Sequence, residues 1–269
     1  MDRLQIAIEK ARAKRGSRNS AAQIGPEHAA AGGDPWLSLT PIEIKRPMLE
    51  RNRIIALSGG PDVAPYDHLR TRILQQARQH DWRRIALVSP HSACGKSTTA
   101  VNLAFSFGRQ SDVRTLVLDL DLRRPRLAGI LAQQSEFSMP DVLERRVPFS
   151  SLGMRYGDNL AFGFTMERVP NSAELLQSQQ TSDVLSEIEA AYKPDICLYD
   201  MPPMMASDDT FGFLKNVDCV LMLAEAEKTP VAQIDIAERQ LAELTNVMGI
   251  VLNKCNYADG LYGYDYGYE

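Results

Sequence analysis

An α/β fold is predicted for this chain, a doubly wound and mostly parallel sheet flanked by helices. Three observations predict it. Short apolar runs alternate with helical patterns from Ile85 to Leu252. The segment around Gly95-Lys96-Ser97 runs strand, loop, helix. Two further apolar runs, ending at Asp119 and Asp200, each stop on an aspartate. Strand and helix patterns in alternation indicate βαβ units with right-handed crossovers.

The apolar runs are Ile85–Val88, Leu116–Leu118, Leu160–Phe164, Ile196–Tyr199, Cys219–Leu223 and Gly249–Leu252. Several are continuous rather than alternating, as strands covered on both faces require. Between them, helical patterns cover Ser97–Phe107, Ala173–Tyr192 and Val231–Leu244. This globular part is expected over residues 51–256. Residues 1–50 precede it as a basic helix and linker. In residues 1–20, Leu4, Ile8 and Ala11 recur at helical spacing among Arg3, Lys10, Arg12, Lys14 and Arg15. That pattern fits a basic amphipathic helix touching a membrane or partner, and equally a solvated frayed segment. Ser17–Pro47 is rich in Ala, Gly, Pro and polar residues and reads as a flexible linker. Residues 257–269 form a tyrosine-rich tail.

Composition excludes several classes. The chain has 269 residues, 44% hydrophobic and 24% charged, which suits one substantial core. A formal charge of −4 argues against a nucleic-acid partner. Cys94, Cys197, Cys219 and Cys255 are too scattered for a zinc site or a disulfide framework, which fits a reducing cytosol. No apolar run approaches the ~20 residues of a membrane span. No leader-like stretch opens the sequence. A cytoplasmic location is therefore expected.

The phosphate-binding turn spans Ser92, Ala93, Cys94, Gly95, Lys96, Ser97 and Thr98. Backbone N–H groups at a helix start attract phosphate, and Gly95 permits close approach. Lys96 suits the β and γ phosphates, and the Ser97 hydroxyl suits Mg²⁺. The usual pattern begins with glycine six positions before the lysine, where this sequence has Pro90.

Leu116-Val-Leu-Asp119-Leu-Asp121-Leu-Arg-Arg-Pro125 carries two acids two apart. Residues two apart along a strand share a side. Asp119 and Asp121 would project together at the carboxyl end of the sheet, where open α/β sheets bind ligands. A loop of solvated acids before a basic pair is the alternative. Asp200, directly after another apolar strand, is placed to hold Mg²⁺ directly or through water. Arg123 and Arg124 stay open between phosphate contact, oligomer contact and a solvated pair.

The Gly-Lys-Ser turn, Asp-x-Asp-x-Arg-Arg-Pro and Asp-x-Pro-Pro, in this order, resemble the bacterial tyrosine kinases of capsule and exopolysaccharide systems. The likeness continues through Met139-Pro-Asp-Val-Leu, Pro170-Asn-Ser-Ala-Glu-Leu-Leu, Ser207-Asp and Gly249-Ile-Val-Leu-Asn-Lys, and covers roughly residues 65–257. The resemblance implies ATP and Mg²⁺ as cofactors, with Lys96, Asp119, Asp121 and Asp200 as the catalytic set. It implies Asp119 as base, and Ser97, Asp121 and Asp200 around the metal. Asn253, at a strand end, would read the adenine edge; a strand-terminating turn is the alternative.

The tail Tyr257-Ala-Asp-Gly-Leu-Tyr-Gly-Tyr-Asp-Tyr-Gly-Tyr-Glu holds five of the nine tyrosines. In the resembled family such tails are phosphorylated, usually by a neighbouring subunit. Tyr257, Tyr262, Tyr264, Tyr266 and Tyr268 are the implied acceptors; a merely adhesive aromatic tail is the alternative. The family also carries a Glu-x-x-Arg-x-x-Arg helix that packs protomers into a ring. Here the corresponding positions hold Ala64, Asp67 and Arg70, of which only Arg70 matches. Partners implied are a membrane-embedded polysaccharide co-polymerase or activator, other copies of the chain and a tyrosine phosphatase. The partner would recruit the chain to the inner face of the plasma membrane. A non-kinase ATPase switch and a catalytically degenerate nucleotide-binding scaffold are the competing readings. The septum-site and partition type of switch usually adds a lysine near the start of the P-loop, and none occurs between Lys45 and Lys96.

Overall fold

The computed structural model describes residues 33–255. The described chain from Pro35 onward forms one compact unit, which carries the fold described below. The expected N-terminal helix over residues 1–20 and the tyrosine tail lie outside the described residues.

In chain order the elements are α1 (Pro35–Ser38), β1 (Thr40–Pro41), α2 (Arg46–Arg51), α3 (Ala64–His80), β2 (Arg84–Val88), α4 (Lys96–Gly108), β3 (Thr115–Asp119), α5 (Leu127–Leu131), α6 (Met139–Leu143), α7 (Phe149–Leu152), β4 (Met154–Tyr156), β5 (Leu160–Gly163), α8 (Ser172–Gln177), α9 (Gln179–Tyr192), β6 (Ile196–Asp200), α10 (Asp209–Phe213), β7 (Cys219–Glu225), α11 (Val231–Ala242) and β8 (Asn246–Asn253). One sheet takes the order β1-β4-β5-β3-β6-β2-β7-β8. All its pairings are parallel except β4 with β5. The sheet is mostly parallel and covered by helices, as predicted.

The central strands bury both faces, which is why their sequences run apolar without alternation. On one face Ile85, Leu87, Val117, Leu198 and Leu221 join residues of α3 and α4, including Ile73, Val101 and Phe105. On the other, Ala86, Val88, Leu116, Leu118 and Tyr199 join Val184, Leu185 and Ile188 of α9 and Ala237 and Leu241 of α11. Adjacent residues of one strand thus feed opposite cores, as the two-residue period requires.

Three boundaries differ from the sequence reading. The linker expected to Pro47, and the domain start at 51, give way at Pro35. Trp36, Leu39, Ile42 and Leu49 are all buried in the two cores. The Trp36 indole N–H donates to the carbonyl of Tyr192, and the two rings meet edge to face. One aromatic and a few spaced aliphatics here bury as fully as the central strands, without a period a sequence could display. The helical pattern Ala173–Tyr192 is two helices, because Ser178 is extended at ψ 148° and its hydroxyl caps Thr181 N at 3.1 Å. The third pattern stops at Ala242 rather than Leu244.

Candidate nucleotide site

β2 ends at Val88, and the turn to α4 crosses the carboxyl end of the sheet. Gly95 caps α4 with φ 93°, a region that strains any residue with a Cβ. A Cβ there would also lie 2.2 Å from Asn253 Nδ2, so a side chain would displace Asn253 as well. Ala93 takes φ 66° in the same turn. Ser92 and Ala93 are exposed, Cys94 is buried, and Ser97 and Thr98 are half-buried at the helix start. Lys96 is buried, and its Nζ donates to Ser89 Oγ at 2.8 Å. Ser89 Oγ in turn donates to the carbonyl of His91 at 2.6 Å. Pro90 keeps its carbonyl on Met205 N, at 3.1 Å, and so ties the turn to the loop after β6.

The three aspartates converge on this turn. Asp119 and Asp200 are register partners on neighbouring parallel strands, and both are buried. Asp119 Oδ2 accepts from Arg126 N at 3.1 Å and Leu127 N at 3.0 Å, while Oδ1 has no partner. Burial, reinforced by Asp200, pushes the Asp119 carboxyl well above the usual range. Neither oxygen of Asp200 has a hydrogen-bond partner. Burial raises Asp200 to about 6, against the pull of the Lys96 ammonium and of the Ser97 hydroxyl, which faces it without closing a well-aligned bond. Asp121 is buried just beyond β3 and accepts from Arg124 N at 3.0 Å. Burial raises it too, opposed by that backbone bond and by Lys96.

Buried carboxylate oxygens without donors are costly unless a cation or proton meets them. Both Asp200 oxygens therefore fit a hard divalent cation, and Asp119 Oδ1 fits a cation or a proton. Among the described residues no group of three or more His, Cys, Asp or Glu could hold a metal alone. Mg²⁺ does not require one, since it takes one or two carboxylates and completes its shell with phosphate and water.

Asn253, at the end of β8, faces the turn from the other side. Its Nδ2 donates to the Cys94 carbonyl at 2.8 Å, and its Oδ1 accepts from Lys254 N at 2.9 Å. Lys254 Nζ donates to the Ala93 carbonyl at 2.7 Å and lies 3.2 Å from Glu225 Oε1. Two successive residues thus hold two successive carbonyls of the turn. The sequence reading missed Lys254, Glu225 and Ser89. Only the Gly95–Asn253 closeness, a tertiary fact, reveals what β8 contributes.

Arg123 has an intramolecular partner that the sequence reading did not weigh. Its guanidinium grips the buried carboxylate of Asp209 at the start of α10, Nε at 3.0 Å from both oxygens and Nη2 at 2.8 Å. The side chain of Arg124 enters no described bond, but its backbone N–H holds Asp121. The degenerate stretch at the start of α3 is also committed within the chain. The Asp67 carboxylate accepts from Arg70, Ser106 and Arg109. Arg70 further donates to the Ser106 carbonyl at 3.0 Å. The five implied acceptor tyrosines lie outside the described residues, beyond Cys255.

Comparison with known proteins agrees with this geometry. Residues 85–261 match the family described as the CobQ/CobB/MinD/ParA nucleotide binding domain. The tyrosine-protein kinase YwqD of Bacillus subtilis is 29% identical over 191 residues, 70% of this chain and 79% of its own length. AmsA of Erwinia amylovora is 28% identical over 211 residues, 75% of this chain but 28% of its own length. The chain therefore spans only a fraction of some relatives. Among solved structures, the kinase domain of the Escherichia coli tyrosine kinase ETK superposes with TM-score 0.67 at 23% identity, covering 80% of this chain and 85% of that one. The septum site-determining protein MinD of Pyrococcus horikoshii, solved with Mg-ADP, gives TM-score 0.56 at 17% identity over 66% of this chain and 72% of that one. At such identities both show the fold alone. The chain belongs to the CobQ/CobB/MinD/ParA nucleotide-binding domain family and has bacterial tyrosine-protein kinases among its relatives.

Proposed function

We propose that this chain is an ATP-dependent protein-tyrosine kinase whose first substrate is its own C-terminal tyrosine cluster. The observation that carries the reading is the convergence of Asp121 and Asp200 on Lys96, with Asp119 beside Asp200 and three buried carboxylate oxygens lacking a hydrogen-bond donor. Relatives named as tyrosine-protein kinases support the acceptor class.

Lys96 and the backbone of Ser92–Thr98 would bind the phosphates, with Ser97, Asp121 and Asp200 toward the metal. Bound Mg²⁺ would neutralise charge developing on the γ-phosphoryl group. The phosphoryl group leaves the terminal bridging oxygen of ATP and joins a tyrosine oxygen. The phenol proton goes to Asp119, whose Oδ1 is free to take it. Its raised affinity for protons makes this carboxylate a stronger base than an ordinary one. Asn253 would meet the adenine edge after exchanging its bond to Cys94. Tyr257, Tyr262, Tyr264, Tyr266 and Tyr268 are the acceptors. A membrane-embedded activator of polysaccharide polymerisation, other copies of the chain and a tyrosine phosphatase complete the system. The membrane partner would supply the recruitment; no helix of the described residues is long and apolar enough to cross a membrane.

The test is incubation of the full chain and of Lys96→Met with Mg-ATP and the partner, followed by mass spectrometry of the tail. Wild type should gain tail phosphates, and Lys96→Met should lose both nucleotide binding and phosphotyrosine. Release of inorganic phosphate without any phosphotyrosine would instead establish an ATPase switch. Tight ATP binding with neither product would leave a nucleotide-binding scaffold.

A further inference from the structure

The loops that carry Asp121 and Asp200 are joined a second time, away from the nucleotide turn. Arg123 lies two residues beyond Asp121 and holds Asp209 by a bidentate pair, Nε to Oδ2 and Nη2 to Oδ1. Asp209 is fully buried, and its second oxygen also accepts from Ser172 Oγ of α8 at 2.6 Å. The next residue, Thr210, donates its hydroxyl to the Pro202 carbonyl at 2.8 Å, two residues past Asp200. The backbone adds Val169 N to the Leu122 carbonyl at 2.9 Å. A path therefore runs Asp121, Arg123, Asp209, Thr210, Pro202, Asp200, and Leu120 N, donating to the Asp200 carbonyl at 2.9 Å, closes it into a circuit.

From this circuit we infer that Arg123 and Asp209 form a positioning clamp that fixes the separation of Asp121 and Asp200 for the divalent cation. The inference rests on the nucleotide-site reading above. Neither clamp residue touches the phosphate turn in a described bond, so neither is a catalytic residue. Three features favour a clamp over an incidental surface pair. Asp209 is fully buried whereas the Arg123 side chain is 35% exposed, so the fork reaches inward from solvent to a fixed anchor. Bidentate pairing sets angle as well as distance. The anchor is shared with α8 through Ser172, so three segments meet on one carboxylate. Mg²⁺ demands near-octahedral geometry, so its affinity responds to small changes in the spacing of carboxylates. A nucleotide held by the turn alone does not.

The test separates these two dependences. Removing Arg123 alone strands a buried carboxylate and risks unfolding, so the main variant is the double substitution Arg123→Met with Asp209→Asn. A fluorescent non-hydrolysable ATP analogue is titrated into full-length protein in EDTA, and again across a Mg²⁺ series. The clamp predicts at least a tenfold rise in the Mg²⁺ concentration for half-maximal enhancement, with affinity in EDTA within about twofold of wild type. Hydrogen exchange of the ligand-free protein should speed at Leu122–Arg124 and Met201–Met205. Arg123→Lys, which keeps the charge but not the fork, should recover only part of the Mg²⁺ affinity. An unchanged Mg²⁺ midpoint in a folded double variant overturns the clamp and leaves the nucleotide site standing. Wild-type binding that ignores Mg²⁺ overturns both.

Discussion

Asp200 illustrates how single residues here are set against stability. Its carboxylate sits at the end of β6 with both oxygens unpartnered, and burial raises it to about 6 from an ordinary 3.8. The folded protein therefore binds this proton more tightly than the unfolded chain does. Between pH ~4 and ~6 stability falls as pH rises, and above that range the loss stays in full. A shift of about two units corresponds to about 3 kcal/mol. Asp200→Asn should then raise the unfolding free energy at pH 7.5 in EDTA by roughly 1–3 kcal/mol, while changing little at pH 4. Urea denaturation at the two pH values checks this, and equal effects at both would refute the burial argument. The same substitution should abolish Mg²⁺-dependent nucleotide binding, because a neutral amide cannot replace a carboxylate ligand. Asp119 strains the fold in the same direction, by burial beside Asp200.

Among the elements, α1 and β1 show what a short segment can contribute. Trp36 is fully buried between the end of α9 and its own face of the sheet, with its N–H on the Tyr192 carbonyl. Trp36→Ala should cost about 3–5 kcal/mol by lost burial and the cavity left behind. A cost under about 1 kcal/mol in urea denaturation would mean that residues 35–50 do not belong to the folding unit. The longer elements were legible for a plain reason. β2, β3, β6 and β7 are covered on both faces, so their sequences are apolar throughout and announce themselves. α4 follows a glycine turn and carries an apolar sequence. β1 and β4 have two and three residues, too short to display any period. The break at Ser178 depends on one hydroxyl capping one amide, a signal that many non-breaking serines share.

For the whole molecule, the question is whether one copy serves another. The site opens at the carboxyl end of the sheet, and the described chain leaves β8 at Asn253, which with Lys254 holds the Cys94 and Ala93 carbonyls. A tail of a dozen residues reaches up to ~40 Å when extended, far enough to leave its own site. At the start of α3, Asp67 and Arg70 are engaged with Ser106 and Arg109 of the same chain. Any ring contact there would have to use other groups. Phosphorylation in trans predicts a clear mixing result. Lys96→Met protein with its tail intact, incubated with active protein whose five tail tyrosines are phenylalanine, should gain phosphotyrosine at a rate rising with the active partner. Absence of label on the Lys96→Met chain, when wild type labels itself, would place the reaction within one molecule. Each phosphate adds about −1.5 to −2 charges to the tail, so tail occupancy should also weaken association.

The sequence by itself determined the parallel sheet, the phosphate turn and which three aspartates stand at strand ends. These follow from local rules: continuous apolar runs for covered strands, a helix start after a glycine, and acids where an apolar run stops. Tertiary structure alone decided what surrounds those residues. It made Asp119 and Asp200 register partners and left three of their four oxygens without donors. It carried Asn253 and Lys254 onto the turn from the far end of the chain. It paired Arg123 with Asp209 across 86 positions. The physical reason is the same in each case. A strand's composition records that it is buried, but not which strand lies beside it, and every one of these contacts is made between neighbours in the sheet order or across its carboxyl end.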